Sequence, residues 1–178
     1  KHGMILSAGL GKRMQPITFK TPKPLIQIGN KNLLERAIQF LVNYGVEEIA
    51  INVHHLADQI KNFIDKKKYK IKIIIFDEKD KLLDTGGGIR NATKSFKKPF
   101  IVVNPDTLWS NEYLNDLKNL EHLYFKQKKP SLLVVNKNLS FDNSFKGDFN
   151  LHNNVISRNN SNEFIFTGLQ ILDESAFN

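Results

Sequence analysis

Met4 to Ile28, MILSAGLGKRMQPITFKTPKPLIQI, concentrates the residues best suited to holding a polyphosphate. Gly9 and Gly11 carry no Cβ, so backbone N–H groups there can approach a bulky anion closely. Lys12 and Arg13 add positive charge at the same place, and a guanidinium can take phosphate oxygens two at a time. Lys23 follows between Pro22 and Pro24, and the two prolines predict an extended, stiff backbone beneath it. The loop is not a Walker phosphate loop. Gly11-Lys12 is followed by Arg13 instead of Ser or Thr, and Leu6 stands where the first glycine belongs. Nor is it a dinucleotide fingerprint, because Met14 replaces the third glycine. By itself the loop also reads as a surface turn with solvated charges. The Pro-flanked lysine shifts the reading towards phosphate.

Two further stretches could do chemistry. Asp84-Thr85-Gly86-Gly87-Gly88 offers compact backbone and a helix start with free N–H groups, which would let the chain approach a base or ribose. It also reads as a flexible loop with a helix cap. Asp106 ends the apolar run Phe100–Val103 after Asn104-Pro105. A carboxylate there suits Mg²⁺, which takes one or two carboxylates together with phosphate oxygens. The same residue could equally cap the next turn. His54-His55 is a poor zinc pair, since neighbours on a strand point to opposite faces and no third ligand is spaced for it. The single Trp109 is expected to pack.

Elements that alternate along the chain must position these groups. Met4–Leu6, Leu25–Ile28, Glu48–Val53, Ile71–Phe76, Phe100–Val103, Ser131–Val135 and Phe164–Leu172 read as strands. Ile73-Ile74-Ile75 is apolar throughout, as in a strand covered on both faces. Helical spacing marks 32–44, a face through Leu56, Ile60, Phe63 and Ile64, the stretch 82–92, and 112–127. Gly45 is a stop signal for the first of these. The βα repetition predicts an α/β fold with a doubly wound, mainly parallel, Rossmann-like sheet. Polar stretch 136–162 reads as a small antiparallel excursion near the C-terminus. In such a sheet ligands bind beyond the carboxyl ends of the strands. The opening loop, the Thr85 stretch and Asp106 all follow strands, so they are expected on one rim.

Composition narrows the function classes. The 178 residues are 40% hydrophobic and 25% charged, and no apolar run approaches the ~20 residues that span a bilayer. No cysteine is present, so disulfides and thiolate metal sites are excluded, and a cytoplasmic location is expected. The net charge of +8 would suit nucleic acid or anionic small molecules. No recognisable nucleic-acid module accompanies it, so neither nucleic acid nor membrane is expected as a partner.

S-A-G-L-G-K-R-M followed by K-T-P-K-P-L-I resembles the N-terminal signature of sugar-1-phosphate nucleotidyltransferases, and the likeness runs from Met4 to about Leu172. The Thr-Gly-Gly-Gly form is similar to that of N-acetylmuramate-1-phosphate uridylyltransferases and of mannose-1-phosphate guanylyltransferase-like proteins. The resemblance implies one nucleotidyltransferase domain over 1–178 that joins an NTP, UTP by preference, to a sugar 1-phosphate and releases pyrophosphate. It implies nucleotide binding by Leu6, Ala8, Gly9, Gly11, Lys12, Arg13, Lys23, Thr85, Gly86 and Gly87. Catalytic roles fall to Arg13, Lys23 and Asp106, with Mg²⁺ on Asp106. Sugar binding falls to Asn136, Gly147, Asp148, Thr167 and Gly168. Three departures stand out. Pro105 replaces the family's glycine, Asp84 replaces a glutamate, and no W-x-D-V-G-like segment with a second acidic ligand is found. That segment is expected to be missing through truncation or lost. The competing reading is a nucleotide- or sugar-nucleotide-binding regulatory module without catalysis.

Overall fold

The computed structural model describes residues 1–140, 142 and 144–177. Its elements, in chain order, begin with β1 (His2–Ser7), β2 (Gln27–Ile28), β3 (Lys31–Asn32), α1 (Leu33–Asn43), β4 (Glu48–Val53), α2 (Ala57–Lys67) and β5 (Lys72–Asp77). They continue with α3 (Thr85–Ala92), β6 (Phe100–Val103), α4 (Leu114–Gln127), β7 (Ser131–Asn136), β8 (Asn150–His152), β9 (Val155–Ser157) and β10 (Phe164–Leu172). Six strands form one sheet in the order β5-β4-β1-β6-β10-β7. The β5, β4, β1 and β6 neighbours pair in parallel, whereas β10 runs antiparallel to both β6 and β7. This is the expected α/β sheet, mainly parallel, with one reversed strand inside it.

Alternation along the strands divides the core. On β1, Met4 faces one side of the sheet and Ile5 the other, and on β6 Val102 and Val103 do the same. Ile5, Ile49, Ile51 and Val103 meet Leu34, Ile38 and Leu41 of α1, Ile60 of α2, and Leu117 and Tyr124 of α4. Met4, Ala50 and Val102 meet Ile89 and Ala92 of α3 together with Phe96. Helices therefore cover both faces, and buried strands can be apolar throughout. α1 starts where Asn32 accepts a hydrogen bond from the Glu35 N–H (2.8 Å), and it ends before Gly45 at φ 89°.

Three expectations change. β5 lies at the sheet edge, so Ile73, Ile74 and Ile75 are half-buried instead of covered on both faces. Leu25–Ile28 is not one strand, since only Gln27–Ile28 pairs, and it pairs with β3 outside the main sheet. Lys23 is not on extended backbone. Lys23–Leu25 closes a 3₁₀ turn, with Leu25 N–H donating to the Pro22 carbonyl (2.8 Å) and Ile26 N–H to the Lys23 carbonyl (3.1 Å). Proline at the second position of a helical turn fits because its missing N–H has no partner to lose there. The antiparallel excursion is the β8–β9 hairpin, turned by Asn153 and Asn154 at φ 49° and 62°. Residues 141 and 143 of that excursion lie outside the described residues. Among the described residues, no helix is long and apolar enough to cross a membrane.

Candidate functional site

Parallel register sets the carboxyl ends of the strands side by side, with Ser7 opposite Val53 and Val53 opposite Asp77. A basin of about 790 Å³ opens at this rim. Leu6, Ala8, Gly9, Gly11, Lys12 and Arg13 line it from the opening loop, Lys23 from its turn, and Thr85 from the start of α3. Asp106 lines it from the loop after β6. Nine of the expected residues thus share one cavity, and Arg13 and Lys23 are on it together.

The opening loop is held from behind. Gly11 sits at φ 63°, and a Cβ there would lie 2.8 Å from Cγ2 of Thr18. Thr18, almost fully buried, donates its hydroxyl to the Gly11 carbonyl (2.9 Å). His55 Nε2–H donates in turn to the Thr18 carbonyl (2.7 Å), and Gln59 Nε2 donates to the Lys20 carbonyl (2.9 Å). The histidine clamps the loop to the start of α2. Lys12 and Arg13 are exposed on the basin side and form no ion pair among the described residues. They are the cations left available to an anion.

Lys23 Nζ and Asp106 Oδ2 meet at 2.5 Å across the basin. The aspartate side chain is 38% exposed and its other oxygen has no hydrogen bond among the described residues. Among the described residues no cluster of three or more His, Cys, Asp or Glu forms a metal cage. With one oxygen on Lys23 and the other free among the described residues, Asp106 could still offer Mg²⁺ one carboxylate ligand, the rest coming from phosphate and water.

A buried polar relay joins two walls. The Ser7 N–H donates to Asn52 Oδ1 (3.0 Å), Asn52 Nδ2 donates to Glu78 Oε1 (2.8 Å), and the Leu83 N–H donates to Glu78 Oε2 (2.9 Å). His54 Nδ1–H adds a bond to the Glu78 carbonyl (2.8 Å). Ser7, Asn52 and Leu83 all line the basin. Glu78→Gln is expected to destabilise the fold by about 1–3 kcal/mol, because both neighbours are donors and an amide offers only one acceptor oxygen. Urea unfolding of the variant checks this, and an unchanged midpoint would remove the relay from the account.

The glycine run also makes room for protein groups. Gly86 and Gly87 do not line the basin, which only Asp84 and Thr85 reach from this segment beyond Leu83. Asp84 caps α3 by accepting from the Gly87 N–H (2.6 Å), and a Cβ on Gly87 would lie 2.9 Å from that carboxylate oxygen. A Cβ on Gly88 would lie 2.9 Å from both Asn52 Nδ2 and Glu78 Oε1. These glycines clear space for protein groups.

The five residues expected at the sugar are also absent from the basin lining. Asn136 accepts from the Asn138 N–H (2.9 Å), and Gly147 packs so that a Cβ would fall 2.3 Å from the Asn162 carbonyl oxygen. Asp148 accepts from the Phe166 N–H (2.8 Å) beside a register shift in β10. Thr167 and Gly168 brace the Asp106 loop. Thr107 donates its hydroxyl to the Thr167 carbonyl (2.7 Å), and the Asn104 N–H donates to the Gly168 carbonyl (2.8 Å). β10 reaches the basin instead through Phe166 and Gln170, on either side of the register shift. Trp109 packs, as expected, stacked on Phe40 at 5.2 Å.

The sequence profile of the nucleotidyl transferase family matches residues 2–147. The chain belongs to this family. It is 37% identical to the N-acetylmuramate alpha-1-phosphate uridylyltransferase of Caulobacter vibrioides over 113 residues, which are 61% of this chain and 47% of that protein. It is 34% identical to a mannose-1-phosphate guanyltransferase of Gibberella zeae over 110 residues, covering 60% and 30% respectively. The chain thus spans about half or less of the curated relatives it matches. A solved UDP-glucose pyrophosphorylase complexed with UDP-glucose superposes with a TM-score of 0.76 at 20% identity, over 99% of this chain and 77% of that one, and so shares the fold.

Proposed function

We propose that this nucleotidyl transferase chain serves nucleotidyl transfer from an NTP to a sugar 1-phosphate. The observation that carries the reading is the basin that brings Lys12 and Arg13, without an ion pair among the described residues, together with the Lys23–Asp106 pair. A sugar phosphate oxygen attacks the α-phosphorus of the NTP, a new P–O bond forms, and the bond to the β-phosphate oxygen breaks to release pyrophosphate. No covalent intermediate on the protein is required. Backbone at Gly9 and Gly11, with Lys12 and Arg13, holds the leaving phosphates. Lys23 neutralises the α-phosphate and the incoming phosphate. Asp106 would hold Mg²⁺, which supplies further charge neutralisation when bound. Catalysis is then positioning plus electrostatics on a preorganised frame.

Uridine is the proposed base, supported by the similarity to the uridylyltransferase, while the guanyltransferase relative makes GTP the competitor to test. The test is pyrophosphate release by the full-length protein with each of the four NTPs, Mg²⁺ and a panel of sugar 1-phosphates. Turnover with UTP above the others supports the whole reading. Turnover with GTP alone keeps the reaction and overturns the base. Stabilisation by NTP without turnover on any sugar phosphate overturns catalysis and leaves a binding module. The matching thermal shift is large, since ligand at 100 times its Kd adds about 2.7 kcal/mol.

A further inference from the structure

A second cleft, of about 340 Å³, shares no lining residue with the basin. Its floor is the stacked pair Phe40 and Trp109, 1% and 3% exposed. Lys31 and Arg36 stand on one wall, and Ser110 and Asn111 on the other. The first wall continues from the turn that carries Lys23, and the second from the loop that carries Asp106. Among the described residues, no carboxylate lines the cleft.

Most lysines and arginines that form no ion pair among the described residues are exposed, whereas Lys31 and Arg36 are half-buried. Lys61 pairs with Asp77 at 2.7 Å and Lys67 with Glu35 at 2.8 Å. Lys31 and Arg36 form no ion pair among the described residues. Arg36 uses one Nη2 hydrogen on the Ile28 carbonyl (2.7 Å), while its Nε is buried and has no hydrogen-bond partner among the described residues. The amides beside it are engaged with each other. Gln39 donates to Asn43 (2.8 Å) and Asn43 to Asn111 (2.7 Å). That ladder ties the two walls together and leaves both cations unneutralised.

We propose that this cleft binds a compact phosphate monoester. Such a group carries close to two negative charges at neutral pH and matches the two unpaired cations. The guanidinium takes its oxygens through its remaining Nη hydrogens, and Lys31 balances the second charge as a mobile point charge. The cleft volume lies at the small end of small-molecule sites, so the occupant is smaller than a nucleotide. This inference is independent of the proposed transfer reaction, because it rests on a separate set of residues.

Trp109 is the only tryptophan in the chain and forms part of the cleft floor, so its fluorescence reports on occupancy. The probe is inorganic phosphate, titrated at constant ionic strength against sodium chloride. A saturable change is expected in the unaltered protein and in Arg13→Ala, whose lost guanidinium belongs to the basin. In Arg36→Gln and in Lys31→Gln the same change is expected to need at least tenfold more phosphate. Lys31→Gln keeps the test valid if Arg36→Gln loosens the Ile28 contact. No saturable change in the unaltered protein, its loss in Arg13→Ala, or its full retention in Lys31→Gln overturns the proposal.

Discussion

Lys23→Ala is expected to lower the rate of pyrophosphate release by about 10²–10³, by analogy with removal of a preorganised donor from an oxyanion site. The expectation is specific because the side chain and its backbone do separable work. The turn is held by the Leu25 and Ile26 N–H groups and by two prolines, none of which needs the ammonium. Pairing with Asp106 adds little to folding, since the two side chains are 27% and 38% exposed, and exposed pairs contribute about 0–1 kcal/mol. Stability should therefore change by less than about 1 kcal/mol while turnover collapses. Lys23→Ala combined with Asp106→Asn should cost less than the sum of the separate losses, because the two groups act on one phosphate cluster. Full turnover in Lys23→Ala, measured in the full-length protein with Mg²⁺, would falsify the role given to this residue.

What the sequence made legible follows burial. β4, β6 and β10 read correctly to the residue because each is a predominantly apolar run bounded by polar or turn residues. The opening loop and Asp106 were legible as a set because parallel strands must deliver their carboxyl ends to one rim. The contacts that hold the site join residues far apart in the chain. Asn52 and Glu78 are 26 positions apart, and Thr18 and His55 are 37 apart, so no local period reveals them. One signal was available: Asn52 is a polar residue inside the otherwise apolar end of β4, and it is 4% exposed. A polar group there must find partners, which points to a network even before its members are known. Gly87, Gly88 and Gly168 illustrate the opposite case. Their motifs were visible, but what each missing Cβ makes room for is a tertiary fact.

That distinction gives the second large effect, Gly168→Ala. Gly168 sits at φ 87°, and an added Cβ would lie 2.7 Å from the Cβ of Asn104, an atom fixed close to the backbone. Left-handed backbone costs a residue with a side chain roughly 1–2 kcal/mol, and overpacking adds roughly 1–3 kcal/mol. A total of about 2–5 kcal/mol corresponds to a fall in Tm of roughly 4–20 °C for a chain of this size. Turnover should fall as well, because Asn104 and Thr107, which flank Asp106, are bonded to the Gly168 and Thr167 carbonyls. Gly9→Ala supplies the contrast. Nothing lies within 4 Å of its added Cβ, so stability should stay within about 0.5 kcal/mol. The new methyl group instead occupies the exposed side of the basin loop and should weaken NTP binding. Calorimetry on the two variants, with NTP titrations beside it, separates a glycine needed by the fold from one needed by the ligand. Equal losses of stability at both positions would show that the loop and β10 do not divide the work in this way.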